Sequence, residues 1–316
     1  MLVFTPNTTV DVTTWLAELV PGSVLRDRRT VVSGGGKGVN VCRTLRLLGH
    51  APRLVGLSPR QDDTLERHLA AEGCVFVPFH HDGPGRLSHI VLEDSGRTTV
   101  LNGRGPQLSG PEWEALRSLV GELARSTRFV VCSGSVPPGM PEDAYGQVVS
   151  LAHERGAECL VDSGPAFVRA SLSAGPDLVS PNLAEAEGML TGQQVEAVDE
   201  QSDDVPDRCV DASRRLHAMG ARRAVVTGGR YGAALTTSAG SWWLPAPMVR
   251  VVNAIGAGDT FVGGVVAALA SGASDVEAVR HGIRVAAAAC ETETAGIFSP
   301  ARLAELERVE LLASAR

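Results

Sequence analysis

One loop of the sequence combines glycines with an acidic residue in a spacing that suits phosphate chemistry. It covers 253–261 (Asn-Ala-Ile-Gly-Ala-Gly-Asp-Thr-Phe), and we expect it to follow a strand at 249–252 and to open an apolar helix. Gly256 and Gly258 allow a tight turn that aims several backbone N–H groups at one point, where the helix N-terminus adds partial positive charge. Asp259 stands at the mouth of this anion hole. Because a carboxylate repels phosphate, Asp259 is better suited to accept the proton of an attacking hydroxyl.

Two other interpretations of this loop follow from the residues alone. In the first, the loop is only a glycine-rich turn, and Asp259 caps the helix that follows. In the second, the loop binds a dinucleotide, but the required spacing GxGxxG fails because Phe261 occupies the position of the third glycine. The helix-cap interpretation stays open at this point.

A second glycine-rich loop, at 33–40 (Ser-Gly-Gly-Gly-Lys-Gly-Val-Asn), also precedes a predicted helix. It is not a Walker A loop, since Gly38 follows the lysine where Ser or Thr is required. Glycines such as Gly36 permit close approach of the backbone to a polyhydroxyl ligand. Lys37 offers a positive charge, and Asn40 offers paired donor and acceptor groups. A flexible loop before a helix is the alternative.

The rest of the chain must supply the elements that position these loops. Its 316 residues, 44% of them apolar and 21% charged, suit one large α/β domain or two smaller ones. The net charge of −7 gives no indication of a nucleic-acid partner, and no apolar run reaches the about 20 residues of a membrane span. The six cysteines form no CxxC pair, which indicates buried free thiols in a reducing compartment. With no signal-peptide pattern at the N-terminus, we expect a cytoplasmic protein.

Short β-branched runs alternate with longer amphipathic stretches along the chain. The predicted strands are 2–4, 54–57, 74–77, 129–132, 159–162, 178–180, 224–227 and 249–252. The predicted helices are 38–48, 64–71, 111–124, 142–155, 212–219, 260–269 and 276–290. This alternation predicts a mostly parallel sheet that is covered by helices on both faces.

Two segments depart from this alternation. Residues 8–32 and 86–101 are extended, with polar alternation, and the second is broken by a turn at 93–96. We expect them to form a small, half-exposed sheet that covers a cleft or pairs with another subunit. The acidic stretch 195–207 is predicted to be a surface loop.

Small polar residues follow five of the predicted strands. These residues are 5–7, 132–135, 162–164, 180–182 and 227–229. Ligands of open α/β sheets lie beyond the carboxyl ends of the strands. The sequence therefore predicts a binding edge there.

The two loops resemble the two signatures of the ribokinase-like, PfkB-type carbohydrate kinases. Four further segments resemble motifs of the 1-phosphofructokinase and tagatose-6-phosphate kinase branch of that family, so that the resemblance covers nearly the whole chain. They are 5–11 (T-x-N-P-x-x-D), 133–139 (SGSLPPG), 181–185 (PNxxE) and 227–232 (SLGxxG).

The resemblance implies an α/β, ribokinase-like three-layer αβα sandwich with a mostly parallel central sheet and a small β-sheet lid. The core would comprise 1–7, 33–85 and 105–316, and the discontinuous lid would comprise 8–32 and 86–104. In such proteins the lid covers the sugar and excludes water, and its outer face offers a homodimer contact.

The resemblance also implies a role for each matching position. Asp259 would be the catalytic base, with Gly256, Ala257 and Gly258 as the anion hole. The substrate would be bound by Asp11, Gly36, Lys37, Asn40, Arg86 and Ser135. The nucleotide would be bound by Asn182, Thr227, Gly229 and Gly232. Asn182 and Glu185 would organise Mg²⁺ through its water shell.

Arg86 falls where this branch places an arginine that binds the phosphate already on the substrate, and a guanidinium suits that task. A surface arginine without a ligand is the alternative. The sequence departs from the branch at Thr8, where proline is usual, at Ser88, where asparagine is usual, and at 58–63, where a glycine-rich turn is replaced. These departures leave the identity of the sugar open.

The function that the resemblance implies is ATP-dependent phosphorylation of a hydroxyl of fructose 1-phosphate, fructose 6-phosphate or tagatose 6-phosphate. ATP and Mg²⁺ would be the cofactors, with a monovalent cation as a further option. Two alternatives remain: a kinase for an unphosphorylated sugar or a nucleoside, and a non-catalytic sugar-phosphate sensor. A sensor would not need both Asp259 and the pair Asn182 and Glu185. Neither a nucleic acid nor a membrane is expected as a partner.

Overall fold

In the computed structural model of the chain, residues 1–192 and 203–314 are described, with side chains as far as 308. The strands are β1 (Leu2–Phe4), β2 (Thr9–Leu16), β3 (Arg29–Gly35), β4 (Arg53–Pro59), β5 (Val75–His81), β6 (Leu87–Glu93), β7 (Thr98–Asn102), β8 (Phe129–Ser133), β9 (Glu158–Asp162), β10 (Leu178–Val179), β11 (Ala224–Thr227), β12 (Gly232–Thr237) and β13 (Gly240–Pro245). The helices are α1 (Lys37–Leu47), α2 (Thr64–Ala71), α3 (Gly110–Ala124), α4 (Ala144–Glu154), α5 (Pro165–Ser171), α6 (Leu183–Thr191), α7 (Val205–Ala218), α8 (Ala257–Ala270), α9 (Asp275–Cys290) and α10 (Pro300–Ser314).

The central sheet has nine strands in the order β13-β12-β11-β10-β9-β8-β1-β4-β5. Its strands pair in parallel from β5 as far as β11, and β12 and β13 add an antiparallel hairpin at the other edge. The predicted mostly parallel sheet is therefore confirmed. The hairpin was not predicted from the sequence.

Two separate hydrophobic cores lie on the two faces of this sheet. On β1, Leu2 and Phe4 pack with helices α3 to α7, whereas Val3 packs with helices α1, α2, α8 and α9. This follows from the alternation of side chains along a strand. The result is the expected three-layer sandwich, and the carboxyl ends of the parallel strands share one edge.

The strand predicted at 249–252 does not form, and this prediction was wrong. The chain between β13 and α8 is irregular, and Met248, Val251 and Val252 are 98%, 59% and 54% exposed. The amides of Val252 and Asn253 donate to the carbonyl of Cys290 at the end of α9 rather than to a strand. A β-branched run becomes a strand only where a neighbouring strand can pair with it.

Helix α7 begins earlier than predicted, at Val205 instead of 212. Pro206 lies in its first turn, where the missing N–H costs nothing. The end of the predicted surface loop 195–207 is therefore helical from Val205 onward, and its residues 195–202 lie outside the described part of the chain. Helices α5, α6 and α10 were not predicted.

The two segments expected outside the main sheet form a second sheet, in the order β3-β2-β6-β7. Strand β2 pairs antiparallel with β3 and parallel with β6, and the predicted turn between β6 and β7 is present, with Gly96 at φ 84°. This small sheet is the lid. Strand β3 continues to Gly35, three residues beyond the predicted end of the first lid segment at residue 32. The division of the chain into core and lid domains remains a prediction.

All six cysteines carry free thiols, as expected, and five of them are buried. None of the helices described for this chain is long and apolar enough to cross a membrane.

Candidate active site

The loop before α8 requires glycine at its N-cap. Gly256 has φ 76°, in the left-handed region, and a Cβ atom there would lie 2.9 Å from the Cβ of Ala295. Asn253 stabilises the turn, because its Oδ1 accepts a hydrogen bond of 2.9 Å from the amide of Ile255. The glycine spacing therefore serves the turn that the sequence predicts.

Helix α8 begins at Ala257, whose amide donates to the carbonyl of Ala254 at 3.2 Å, and the amide of Thr260 donates to the carbonyl of Gly256 at 2.9 Å. The amides of Gly258 and Asp259 in the same turn have no backbone partner among the described residues. A Cβ atom built on Gly258 would meet nothing within 4 Å, which shows that this helix end faces open space. The structure thus places Gly256, Ala257 and Gly258 at a helix N-terminus with room for an anion.

Asp259 lies in the same turn and is 5% exposed. Its Oδ2 accepts a hydrogen bond of 2.8 Å from Nδ2 of Asn40 in α1. Burial raises the pKa of the Asp259 carboxyl to about 7, against the lowering effect of the Lys37 charge and with a further raising effect of Asp162. Because its bond goes to a different helix, Asp259 is not merely a cap of α8.

Lys37, the first residue of α1, lies beside this carboxyl. Its Nζ is 3.5 Å from Oδ1 of Asp162, the last residue of β9. The negative charge of Asp162 raises the pKa of Lys37 above its ordinary value, so that the ammonium stays protonated. Oδ2 of Asp162 is buried and has no hydrogen-bond partner among the described residues.

Asp162 was not among the predicted site residues. A signal for it was present, because it follows a predicted strand at the binding edge, but small turn residues at strand ends have many causes.

Asp11 on β2 is held against the backbone of β3. A Cβ atom on Gly35 would lie 2.0 Å from Cγ of Asp11, so that only glycine leaves room for this carboxyl. Burial raises the pKa of Asp11 to about 6, against the lowering charges of Arg43 and Arg86. Its Oδ1 has no partner within the described structure, which leaves one oxygen for a ligand.

Asn7 connects the lid to the neighbouring loop, although sequence reasoning did not single it out. Its Nδ2 donates to Oγ of Ser135 at 3.0 Å and to the carbonyl of Arg104 at 3.1 Å. Asn7 belongs to the motif at 5–11, which could have identified it. Gly36, the N-cap of α1 close to Asn7, has φ 109° and is needed for that conformation.

Arg86 lies just before β6, and its guanidinium braces the protein backbone. Its Nη1 donates to the carbonyl of Asn7 at 2.7 Å and its Nε donates to the carbonyl of Gly103 at 2.7 Å. These bonds leave Nη2 and one Nη1 hydrogen for other partners. Arg86 is half-buried and close enough to Asp11 for their charges to interact.

Asn182 and Glu185 form a capping box at the start of α6. Oδ1 of Asn182 accepts from the amide of Glu185 at 2.9 Å, and Oε2 of Glu185 accepts from the amide of Asn182 at 3.0 Å. The charge of Glu185 also raises the pKa of Lys37, which indicates that α6 begins near the same site. The pair therefore has a structural role that the sequence prediction did not include.

Thr227 at the end of β11 is joined to Asn182 by a parallel β-bridge. Gly229 has φ 55°, in the left-handed region. At Gly232, with φ 134°, a Cβ atom would lie 2.1 Å from the carbonyl oxygen of Leu244. The two glycines are thus required by the backbone, whatever they bind.

Comparison with known proteins supports the same interpretation. A model of the family described as "pfkB family carbohydrate kinase" matches residues 6–302. The chain belongs to the pfkB family of carbohydrate kinases.

Several curated relatives align over most of their length. The 1-phosphofructokinase of Rhodobacter capsulatus is 30% identical over 306 residues, which is 96% of this chain and 94% of that protein. The ATP-dependent 6-phosphofructokinase isozyme 2 of Escherichia coli is 30% identical over 284 residues, which is 89% of this chain and 89% of that protein.

Two solved structures have the same fold as this chain. The phosphofructokinase-2 of Escherichia coli in complex with fructose-6-phosphate has a TM-score of 0.86, 26% identity and coverage of 98% of both chains. The ribokinase of Arabidopsis thaliana, solved with ribose and ATP, has a TM-score of 0.73 at 20% identity, and it covers 96% of this chain and 97% of its own. The predicted family, the fold and the enzyme class are confirmed.

Proposed function

We propose that this pfkB carbohydrate kinase transfers the γ-phosphoryl group of ATP to a hydroxyl of a sugar phosphate, with Asp259 as the general base. The observation that carries this proposal is the buried carboxyl of Asp259 at the N-terminus of α8, with a pKa raised to about 7. At neutral pH such a group can accept the proton of the attacking hydroxyl. The free amides of the same turn can stabilise the charge on the transferred group.

The neighbours of Asp259 support this division of tasks. Lys37 stays protonated and supplies a positive charge beside the carboxyl, while Asn40 holds its Oδ2. A non-catalytic sensor gains nothing from a buried acid, because burial of a charge costs stability.

For the nucleotide side we propose Asn182, Thr227, Gly229 and Gly232 as the lining, with Asn182 and Glu185 organising Mg²⁺. The amide and carboxylate oxygens of the pair have the chemistry that Mg²⁺ prefers, and their capping box engages only one oxygen of Glu185. When bound, Mg²⁺ neutralises part of the phosphate charge. The phosphofructokinase-2 of Escherichia coli has been solved with potassium, which supports a monovalent cation as a further cofactor without assigning its ligands.

For the substrate we propose a fructose or tagatose phosphate, bound by Asp11, Gly36, Lys37, Asn40, Arg86 and Ser135. The free oxygen of Asp11 suits a sugar hydroxyl, and the remaining hydrogens of Arg86 suit a phosphate. The aligned 1-phosphofructokinases support this class.

Two observations favour the alternative, an unphosphorylated sugar or a nucleoside. Arg86 already donates to two backbone carbonyls, and Ser58 in the altered turn is engaged by Glu66 at 2.8 Å.

We also propose a homodimer through the outer face of the lid. Leu87 of β6 and Leu101 of β7 share the face of the lid opposite to Asp11 and are 45% and 62% exposed, which is typical of a surface that a partner covers.

The substrate class is tested by ADP release with fructose 1-phosphate, fructose 6-phosphate, tagatose 6-phosphate, ribose and adenosine as acceptors. We expect one of the three sugar phosphates to give the highest kcat/KM. A higher value for ribose or adenosine would contradict the phosphosugar assignment, and no ADP release with any acceptor would favour the sensor.

A further inference from the structure

An arginine outside the predicted site lies one turn beyond Asn40 on α1. The guanidinium of Arg43 makes a two-bond ion pair with Glu72, which follows α2, at 2.6 Å from Nε and 2.7 Å from Nη2. The Arg43 side chain is only 11% exposed. Two parallel bonds between planar groups fix the plane of the guanidinium.

The same guanidinium reaches the site through a third bond. Its Nη1 donates to Oδ1 of Asn40 at 2.9 Å, and its Nη2 also donates to the carbonyl of Gly34 at 2.6 Å. Because arginine has only donors, this bond requires the oxygen of the Asn40 amide to face Arg43. The NH₂ group of Asn40 must then face the other way, toward Oδ2 of Asp259 at 2.8 Å.

Two glycines confine this amide. A Cβ atom on Gly296 would lie 3.0 Å from Oδ1 of Asn40, and one on Gly256 would lie 3.3 Å from its Nδ2. Asn40 therefore has little room to turn, and its orientation depends on what its oxygen accepts.

We propose that Glu72 and Arg43 act as a positioning pair, which holds the Asn40 amide with its NH₂ group on Asp259 and so stabilises the ionised, proton-accepting form of that acid. This inference rests on the proposed role of Asp259. The hydrogen bond from Asn40 lowers the pKa of Asp259, in opposition to burial. The other charged groups that face Asp259 are Lys37, Asp162 and Glu185, and none of them contacts Arg43.

The test compares Arg43→Met with Arg46→Met. Arg46 lies on the same helix and donates to the backbone carbonyl of the same Glu72, so its loss removes an equal charge without touching Asn40. We expect Arg43→Met to lower kcat about tenfold, with less than about a twofold change in KM for ATP, and to move the acid limb of the kcat–pH profile upward by on the order of one unit. Arg46→Met should behave as wild type, and Arg43→Lys should recover part of the loss.

A double-mutant cycle decides whether the effect passes through Asn40. When Asn40→Ala is already present, adding Arg43→Met should cost no further activity, because the bond that it acts through is gone. Fully additive losses, or an acid limb that does not move in Arg43→Met, would overturn the proposal.

Glu72→Gln provides a second route, should Arg43→Met fail to fold. It keeps the shape of the pair and should move the acid limb in the same direction by a smaller amount, and an unmoved limb would again overturn the proposal. The outcome is separable from that of the proposed function. If Asp259→Asn is inactive while Arg43→Met is normal, only the proposal of the positioning pair is contradicted. If Asp259→Asn is active, the proposed role of Asp259 as general base is contradicted.

Discussion

At the residue scale, the site depends on acids that are buried in spite of their charge. Asp259 and Asp11 have pKa values raised to about 7 and about 6, chiefly by burial. The sequence predicts Asp259 as a site residue from its place in a glycine-rich loop. Asp162 is marked only by its place at the end of a predicted strand. Arg43 is held by Glu72, 29 residues further along the chain, and no local pattern marks that contact.

Substitution of Asp259 should reveal the cost of that burial. The folded-state pKa of about 7 lies above the ordinary value of 3.8, so the folded protein holds a proton that the unfolded chain releases between these values. The neutral form of Asp259 therefore costs little stability at low pH, and the free energy of unfolding decreases as the pH rises from about 4 toward 7. Asp259→Asn stays neutral, and we expect it to raise the Tm at pH 8 but not at pH 4, measured by thermal unfolding. A difference in Tm between the variant and the wild type that is equal at both pH values would contradict this. Asp211→Asn, at an exposed position, serves as the control and should not show this pH-dependent difference.

Arg86 tests which substrate is bound. Because its remaining hydrogens are proposed to bind the substrate phosphate, Arg86→Ala should raise KM for the sugar phosphate at least about tenfold while KM for ATP changes little. Steady-state kinetics with each substrate varied in turn gives both constants. Arg97→Ala, which removes a lid arginine paired with Glu93, is the matched control. Equal effects on both KM values would argue that Arg86 only braces the backbone of Asn7 and Gly103.

At the element scale, helix ends and strand ends place the functional groups. Helix α8 supplies free amides and Asp259, α1 supplies Lys37 and Asn40, and β9 ends at Asp162. The periodicity of α1 and α8 predicted both helices to within a few residues, because their apolar faces are buried against the sheet. The strand predicted at 249–252 failed for the opposite reason, since Val251 and Val252 are more than half exposed and the amide of Val252 donates to the end of α9.

Gly258 separates a structural from a functional role of the α8 N-terminus. A methyl group there meets no protein atom within 4 Å, and alanine favours a helix over glycine by up to about 1 kcal/mol. We expect Gly258→Ala to keep or raise the Tm but to lower kcat at least about tenfold, because the methyl group occupies the space proposed for the transferred phosphate. Gly110→Ala at the start of α3 also meets open space and should change neither kcat nor KM. Normal turnover in Gly258→Ala would mean that no anion binds at this helix end.

At the scale of the whole molecule, the three-layer sandwich carries the residues that we propose for phosphoryl transfer, and the separate four-stranded sheet carries Asp11, which we propose for the sugar. The alternation of strands and helices predicted the sandwich, and polar alternation at 8–32 and 86–101 predicted the lid. The β12–β13 hairpin could not be predicted in this way, because its two antiparallel strands follow each other with no helix between them, which strand–helix alternation does not indicate.

The proposed homodimer depends on the outer face of the lid. Leu101 is 62% exposed on β7, and a charge there would be buried unpaired in the proposed lid-to-lid contact. We expect the wild-type protein to sediment as a dimer and Leu101→Glu as a monomer, whereas Val75→Glu, exposed on the core, should remain a dimer. A wild-type monomer, or a dimer that persists in Leu101→Glu, would contradict the proposed interface.

Turnover of Asp259→Asn with the best sugar phosphate tests the central claim most directly. Asparagine keeps the shape of the side chain and removes its ability to take a proton, so kcat should fall at least about 100-fold, while calorimetric titration still shows ATP binding. Turnover near that of the wild type, with ATP bound, would show that another group accepts the proton of the sugar hydroxyl.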